Sequence, residues 1–278
     1  MDSSYPSFSI VTCTYNRAGF IKKALDSVEN QTYKNFEHVI NDSYSTDGTV
    51  DIINAYIERN SGRYPIKFFQ TKPNGIARAM NDALAHCEND VINFLHSDDF
   101  FYTNDALEKV AGYFKADLKL NWLIGNFVME RNRKIYIIKL SKLLALNPKR
   151  VINTISPIHH ENTFIKTKYV KELGEFDESR KISIEVRLWL RMIRISDPLI
   201  VDDNFSVMVS HPDSASSKSA LSFLNGVAEG IDVFKAEHIV PAVGPYNETR
   251  AYKTLVSVQD STRKVLNKLK EKVNGYND

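Results

Sequence analysis

Two adjacent carboxylates, Asp98 and Asp99, follow closely on an apolar run that extends from Val91 to Leu95. Neighbouring carboxylates repel each other unless a cation or a set of hydrogen-bond donors lies beside them. Mg²⁺ and Mn²⁺ take oxygen ligands, and such ions bridge one or two carboxylates to phosphate oxygens. The pair therefore predicts a divalent metal that holds a diphosphate. The alternative is that both acids cap the turn or helix that follows them.

The segments that must position these acids alternate between two hydrophobic periods. Four short apolar segments predict strands: "FSIVTCTYN", "FEHVIND", "IKFFQ" and "VINFL". Each is followed by a segment of helical period, and three of the predicted apolar helix faces are Ile21, Leu25 and Val28; Val50, Ile53 and Ile57; and Leu107, Val110 and Phe114. Ser45, Thr46 and Asp47 are candidate N-caps of the second helix. This alternation predicts an α/β fold with a mainly parallel sheet flanked by helices.

Polar clusters follow each of the four predicted strands. They read "TYNR", "NDSYSTDG", "TKPNG" and "HSDD" in chain order. In open parallel sheets, ligands bind at the carboxyl ends of the strands. The four clusters are therefore expected to converge on one edge of the sheet and to form one site.

The second half of the chain is less regular. "NWLIGNFVMERNRKIYII" predicts a hairpin with "ERNR" as its turn, and "NPKRVINTISPIHHENTFI" predicts a loop that leads into a strand. "SIEVRLWLRMIRI" predicts a helix that buries Leu188, Trp189, Met192 and Ile195. From about Ser216 the pattern is helical. We therefore predict one α/β domain over residues 1–215 and a helical C-terminal extension over residues 216–278.

Composition excludes several classes of protein. A hydrophobic content of 43% and an aromatic content of 11% describe a globular protein. A formal net charge of +2 argues against a nucleic-acid-binding protein. Cys13 and Cys87 lie in apolar segments and are predicted to be buried free thiols. No apolar run reaches the length of a membrane span, and the N-terminal residues do not resemble a signal peptide. These features predict a cytoplasmic protein.

Two other enzyme classes share this pattern of strands and helices. A dinucleotide-binding enzyme needs a Gly-x-Gly-x-x-Gly loop after its first strand, but "TCTYNRAGF" holds one glycine. A nucleotidyltransferase needs a phosphate loop rich in glycine and arginine near the N-terminus, and the sequence has none. Without a glycine cradle, a bound diphosphate has to be neutralised by another route, for which a carboxylate-held cation is suited.

Five motifs resemble those of family 2 glycosyltransferases in their order and spacing. They are "IVTCTYNR", "NDSYSTDGT", "NGIARAMNDAL", "INFLHSDD" and "FDESRKISIEVRLWLR", and they span about Ser7 to Arg191. "GIARAMN" and "HHENTF" look most like bacterial transferases that build surface polysaccharides. The resemblance implies a GT-A (Rossmann-like) fold, with residues 1–215 as the nucleotide-sugar-binding and catalytic domain. It further implies a UDP-sugar donor, a Mn²⁺ or Mg²⁺ cofactor, and inversion of the anomeric centre. It also implies a lipid-linked or protein-linked glycan acceptor.

The resemblance assigns the donor site to seven residues. They are Thr14, Tyr15, Asp42, Gly75, Arg78, Asn81 and Asp98. Tyr15 is expected to stack on the uracil ring and Asp42 to accept a hydrogen bond from its N3–H. Asp98 is expected to hold the ribose or a metal-bound water. For Arg78 an exposed helix position, and for Asn81 a structural hydrogen bond, are alternatives of equal weight.

The resemblance also assigns the metal and the general base. Asp99 is expected to bind the metal together with Asp98, and His211 is a further candidate ligand. Glu185 stands where the family places the carboxylate that removes the proton of the acceptor hydroxyl. His160 is expected on the acceptor side.

Several residues depart from the family pattern. Ser43 and Tyr44 replace two glycines, His96 stands where an acid or an asparagine is common, and Arg187 replaces the second family acid. They motivate an alternative hypothesis, in which the protein is a catalytically silent relative that serves in binding or assembly.

The last residues predict an interaction rather than chemistry. Val265, Leu269 and Val273 form a narrow apolar stripe on a helix with five flanking cations. Such a helix fits docking between copies of the chain or on the catalytic domain. A basic amphipathic helix is also attracted to anionic lipid, so peripheral contact with the inner face of a membrane is the second hypothesis.

Overall fold

The computed structural model describes residues 5–140, 158–174, 176–180 and 184–211. The strands are β1 (Phe8–Thr14), β2 (Phe36–Asp42), β3 (Ile66–Gln70), β4 (Val91–Phe94), β5 (Phe100–Phe101), β6 (Trp122–Ile124), β7 (Phe127–Arg131), β8 (Lys134–Ile138), β9 (Thr163–Lys166), β10 (Leu199–Ile200) and β11 (Ser206–Ser210). The helices are α1 (Ile21–Glu29), α2 (Thr49–Arg59), α3 (Ile76–Ala85), α4 (Ala106–Ala116), α5 (Thr167–Glu172) and α6 (Val186–Ile195). The predicted C-terminal extension lies outside the described residues, so its helices remain a prediction.

The larger of two sheets has seven strands within the described residues, in the order β10-β6-β9-β4-β1-β2-β3. β1 pairs in parallel with β2 and β4, and β2 pairs in parallel with β3. β9 runs antiparallel between β4 and β6. The predicted α/β fold with a mainly parallel sheet is therefore confirmed, and all four predicted strands are present.

Helices cover both faces of this sheet, and the sheet separates the core into two clusters. One cluster packs Met80 and Leu84 of α3 with Trp189 of α6, and the other packs Leu25 of α1 with Val110 of α4. β1 and β2 lie between them and are buried at every position, as expected for parallel strands covered on both faces. The predicted faces of α1 and α4 are buried throughout.

Two local predictions are wrong. Ile195 is 44% exposed, because α6 ends at this residue and the chain leaves it in an extended conformation at Ser196. The N-cap of α2 is Gly48, with a φ of 95°, and not one of the three polar residues before it. Asp47 instead accepts hydrogen bonds from the backbone N–H groups of Ala18 and Thr49 and so ties two loops together.

A smaller sheet has the strand order β5-β11-β7-β8 within the described residues. β7 and β8 form the predicted hairpin, and Arg131 pairs with Lys134 across its turn. Asn132 and Arg133 adopt φ values of 52° and 61°, which is the left-handed geometry of a tight two-residue hairpin turn. Both cysteines are buried free thiols, as predicted. Among the described helices, none has the length and apolar character needed to cross a membrane.

Candidate active site

The carboxyl ends of β1 to β4 meet at one edge of the large sheet, as the sequence predicted. Thr14 lies opposite Asp42, and Asp42 lies opposite Gln70. The loops after β1 and β2 are joined: the backbone N–H of Asn16 donates to Ser45 Oγ at 2.8 Å, and the backbone N–H of Thr46 donates to Asn16 Oδ1 at 2.9 Å. These hydrogen bonds hold the two loops together at the edge of the sheet.

Asp99 meets His160 and Glu161 at this edge. Asp99 follows β4, and the other two residues lie in the short 3₁₀ turn His160–Asn162 that precedes β9. One ligand atom from each of the three lies within 4.8 Å of the others. The antiparallel pairing of β9 with β4 brings the turn there, and Asn93 Nδ2 holds it by donating to the carbonyl oxygens of Glu161 and Thr163, each at 3.0 Å.

The acids of this cluster have few counter-charges among the described residues: Glu161 lies 3.6 Å from His160 Nε2 and 3.8 Å from His159 Nδ1. Burial raises the pKa of Asp99 well above its ordinary value, and the nearby Asp98 and Glu161 raise it further. Burial raises the pKa of Glu161 to about 8, with contributions from Glu185 and Asp98. Burial, together with His96 and His159, lowers the pKa of His160 well below its usual range. Buried carboxylates that repel one another are stabilised by a cation placed between them.

The atoms of the cluster fit a divalent metal. Within the described residues, both oxygens of Glu161 and both ring nitrogens of His160 are buried and make no hydrogen bond. Burial of such polar atoms is unfavourable unless a hydrogen-bond partner or an ion contacts them. Two carboxylates and an imidazole are ordinary ligands of Mn²⁺ and related ions. Asp99 keeps one fixed contact, because its Oδ1 accepts from the backbone N–H of Val209 at 3.0 Å.

His211 lies beside the other acid of the pair. Its Nε2 is 3.0 Å from Oδ2 of Asp98, and its ring stacks on Phe20 with centroids 4.3 Å apart. The two acids therefore point to different partners: Asp99 to the His160–Glu161 turn and Asp98 to His211. Of the predicted metal residues, Asp99 joins the cluster with His160 and Glu161, whereas Asp98 and His211 contact each other beside it. The assignment of each acid to metal or ribose remains a prediction.

Glu185 stands immediately before α6, at the N-cap position. Burial raises its pKa, and its charge in turn raises the pKa of Glu161. The predicted general base therefore interacts electrostatically with Glu161 of the cluster. The family's second acid is replaced by Arg187, whose Nη1 lies 3.3 Å from Asp177 Oδ2. Asp177 also pairs with Arg180 at 3.0 Å, so its carboxylate is neutralised and is a poorer base.

Of the predicted nucleotide-binding residues, some are exposed at the edge of the sheet and others are buried. Tyr15 is 50% exposed at the edge, and Gly75 precedes α3 with a φ of 85° and open space where a side chain would stand. Thr14 is buried, and its hydroxyl makes no hydrogen bond within the described residues. Asp42 is fully buried and accepts hydrogen bonds from Ser45 and from Gln70 Nε2. Its contact with uracil remains a prediction.

Arg78 and Asn81 lie on α3 and are engaged in protein contacts. Arg78 Nε donates to Asp82 at 2.9 Å. Asn81 Nδ2 donates to the carbonyl oxygen of Phe176 at 3.0 Å, and its Oδ1 accepts from the N–H of the same residue at 2.9 Å. Asn81 therefore ties α3 to the segment before Glu185, which is the structural alternative named for it from the sequence.

Comparison with known proteins identifies the family. The sequence model described as Glycosyl transferase family 2 matches residues 9–174. The chain belongs to this family. Curated family relatives include an uncharacterized glycosyltransferase of Rickettsia felis, 26% identical over 223 residues, which cover 77% of this chain and 36% of the relative. An uncharacterized glycosyltransferase of Haemophilus influenzae is 35% identical over 125 residues, 45% of each chain. The chain thus spans about a third of the length of the first relative.

Solved structures confirm the GT-A fold predicted for this family 2 member. S. aureus TarS 1–349 in complex with UDP-GlcNAc superposes with a TM-score of 0.66 at 21% identity, covering 82% of this chain and 66% of TarS 1–349. The mannosyltransferase PcManGT from Pyrobaculum calidifontis, in complex with GDP-Man and Mn²⁺, superposes with a TM-score of 0.61 at 19% identity, covering 93% and 74% of the two chains.

Sequence reasoning missed one member of the cluster, Glu161, and one neighbour of it, His96. Glu161 was not assigned a role, although it adjoins His160 in "HHENTF". His96 was predicted, as a departure from the family, to tune or weaken metal binding; its ring nitrogens are buried, and its ring lies 4.4 Å from that of His160, centroid to centroid. A sequence signal for Glu161 was its position, directly after two histidines and shortly before the predicted strand. Burial of a charge at such a position is unfavourable without a partner, which indicates a functional group.

Proposed function

We propose that the protein transfers a sugar, with inversion, from a UDP-sugar to a glycan acceptor and uses a divalent metal to do so. The observation that carries this proposal is the cluster of Asp99, His160 and Glu161 at the carboxyl edge of the sheet, together with Glu185, which interacts electrostatically with the cluster. Membership of family 2 supports glycosyl transfer as the reaction. The relative of known structure that holds UDP-GlcNAc supports a nucleotide-sugar donor.

The metal would be held by Asp99, His160 and Glu161, with Asp98 and His211 adjacent. When bound, Mn²⁺ or Mg²⁺ neutralises the negative charge that develops on the diphosphate leaving group. Asp99 is well placed for this role because the N–H of Val209 fixes one of its oxygens. His160 was predicted on the acceptor side; its place in the cluster favours a metal ligand and leaves acceptor contact as a second role.

Other residues of this chain bind the donor, accept the proton of the acceptor and position the base. Tyr15 offers an exposed ring on which the uracil base can stack. Glu185 removes the proton of the acceptor hydroxyl while its oxygen attacks the anomeric carbon, and UDP leaves from the opposite face. The raised pKa of Glu185 makes its carboxylate a stronger proton acceptor. Asn81 orients the segment that precedes Glu185.

The acceptor and the place of action are proposed from the resemblance to surface-polysaccharide transferases. A glycan carried by a lipid or a protein, processed in the cytoplasm at the inner face of a membrane, fits that class. The C-terminal residues 216–278, proposed for oligomer formation or membrane contact, lie outside the described residues.

A catalytically silent relative is the alternative function. It is favoured by Tyr44, which stands in the left-handed region with a φ of 56° where the family has glycine, and by Asp42, whose carboxylate is already engaged. Such a protein would keep the fold but would not turn over a donor.

Release of UDP from a panel of UDP-sugars in the presence of Mn²⁺ distinguishes the two functions. We expect slow release by hydrolysis with one or two donors, and we expect the same donors to raise the melting temperature. Chelation of the metal should abolish the release. If no UDP-sugar is consumed and none raises the melting temperature, the transferase proposal is wrong and the silent relative is favoured.

A further inference from the structure

Strand β8 leaves an unusual amount of apolar surface in contact with solvent. It stands at the edge of the small sheet, and all five of its residues are exposed. Ile135, Tyr136, Ile137 and Ile138 are each between 43% and 48% exposed. Within the described residues β8 pairs only with β7. Native proteins normally protect such edges, so contiguous exposed apolar side chains mark an interaction surface.

The apolar side chains lie on both faces of the hairpin. Successive side chains of a strand point to opposite faces, so Ile135 and Ile137 share one face while Tyr136 and Ile138 share the other. A partner strand added at the edge would satisfy the backbone of β8 but would leave both faces only partly covered. The boundary region of a bilayer contacts both faces at once, and the water it contains still solvates the unpaired backbone groups of β8.

The turn of the same hairpin is cationic. Arg133 lies in the tight turn, Arg131 and Lys134 flank the turn, and all three are exposed. In the part of the chain that the structure describes, none of the three takes part in a salt bridge. The neighbouring acid, Glu130, is already paired with Lys23 at 2.9 Å. The turn therefore presents three positive charges that complement a negatively charged surface.

We propose that the hairpin of β7 and β8 docks the protein on an anionic lipid bilayer. The cations of the turn contact the lipid head groups, and the isoleucines of β8 enter the boundary between head groups and acyl chains. Tyr136 has an apolar ring and a polar hydroxyl, a combination that is favourable at that boundary. This inference goes beyond the proposed function, because docking needs neither a sugar donor nor a metal.

Cosedimentation of the full chain with vesicles tests the proposal. One set of vesicles contains phosphatidylcholine alone, and the other contains phosphatidylcholine with phosphatidylglycerol. We expect binding to the second set at low salt, little binding to the first, and weaker binding as salt rises. No donor or metal is added, so a failed transferase assay leaves this result interpretable.

Two pairs of substitutions locate the surface. Arg133→Asn with Lys134→Gln removes two charges and keeps a residue that tolerates a positive φ. At about fivefold per cation near the surface, binding should weaken roughly 25-fold. Ile135→Ser with Ile137→Ser should weaken binding by at least about tenfold. Lys119→Gln with Lys168→Gln makes the same change of charge at exposed positions elsewhere and should leave binding within about twofold of the native chain.

Four results would overturn the proposal. The native chain could fail to bind anionic vesicles at low salt. It could bind while both hairpin variants bind equally well, which assigns docking to another segment. The isoleucine variant could convert a dimer to a monomer in light scattering without changing vesicle binding, which assigns β8 to a second copy of the chain. It could instead lower the melting temperature alone, which assigns β8 to contact within the chain.

Discussion

At the scale of single residues, the site combines buried groups that are unfavourable when isolated. Asp99 and Glu161 have raised pKa values because burial disfavours their charged forms, and the pKa of His160 is lowered for the same reason. A divalent cation would relieve both effects, because it favours ionised carboxylates and neutral imidazoles. The cluster is therefore more consistent with an ion-binding site than with a structural network of hydrogen bonds.

Replacement of Glu185 by glutamine tests the general base. We expect turnover to fall by roughly 10² to 10⁴, because the amide cannot accept the proton of the acceptor hydroxyl. Binding of UDP should stay near that of the native chain, since the base acts on the acceptor. Steady-state rates and calorimetry measure the two quantities separately.

The control for this variant is Glu58→Gln, which makes the same change on the exposed face of α2. It should retain native turnover. Near-normal activity in the Glu185 variant would contradict the assignment and would make His160 and Asp177 the residues to test.

A second prediction concerns His38, which is buried away from the site. Thr12 Oγ1 donates to the carbonyl oxygen of Leu95, so it accepts from His38 Nε2, and His38 Nδ1 accepts from Tyr56. Burial lowers the pKa of His38 to about 3. The folded state thus holds a neutral ring, whereas the unfolded chain is protonated below about pH 6.5.

The sign of the resulting pH dependence follows from that difference. The contribution of His38 is complete above about pH 6.5 and is lost as the pH falls towards about 3, because the unfolded state binds the extra proton. Between pH 6 and pH 4 the loss should be roughly 2.5 kcal/mol in the free energy of unfolding. Denaturant titrations of the native chain and of His38→Gln should differ by this amount in their change over that range. Equal changes would contradict the neutral ring.

At the scale of elements, local patterns predicted most of the fold but not the pairing that builds the site. The strands and the faces of α1 and α4 follow from periodicity, and the β7–β8 hairpin follows from its turn residues. The antiparallel insertion of β9 between β4 and β6 joins distant segments, which no local period encodes. Because this insertion carries His160 and Glu161 to Asp99, the proximity of the three residues could not be predicted from local sequence patterns.

A pair of glycine substitutions tests the packing between β6 and β7. A Cβ at Gly125 would lie 2.7 Å from Cε2 of Phe205 and 2.9 Å from the carbonyl oxygen of Asp203. Gly125→Ala should therefore lower the free energy of unfolding by about 1–3 kcal/mol. Gly112 lies on α4 with nothing within 4 Å of its Cβ position. Gly112→Ala should raise that free energy by up to about 1 kcal/mol.

Thermal and urea unfolding measure both changes. Equal effects of the two substitutions, or a more stable Gly125→Ala variant, would show that the close approach of Phe205 to the β6–β7 connection is not as described.

At the scale of the whole molecule, the site lies where the two sheets meet. Asp99 lies between β4 of the large sheet and β5 of the small sheet, and Val209 of β11 in the small sheet fixes it. The turn before β9 of the large sheet supplies His160 and Glu161. His211 follows β11 and contacts Asp98. The small sheet therefore positions the acid pair from one side, and its outer edge carries the hairpin proposed to dock on lipid.

Calorimetric titration of UDP, with and without Mn²⁺, tests the central claim most directly. The native chain should bind UDP at least about tenfold more tightly with Mn²⁺, because an ion held by Asp99, His160 and Glu161 would neutralise charge on the diphosphate. Asp99→Asn should lose this gain, whereas Asp51→Asn on the exposed face of α2 should keep it. UDP binding that is equally tight in a chelator, or an unchanged Mn²⁺ effect in Asp99→Asn, would contradict the account.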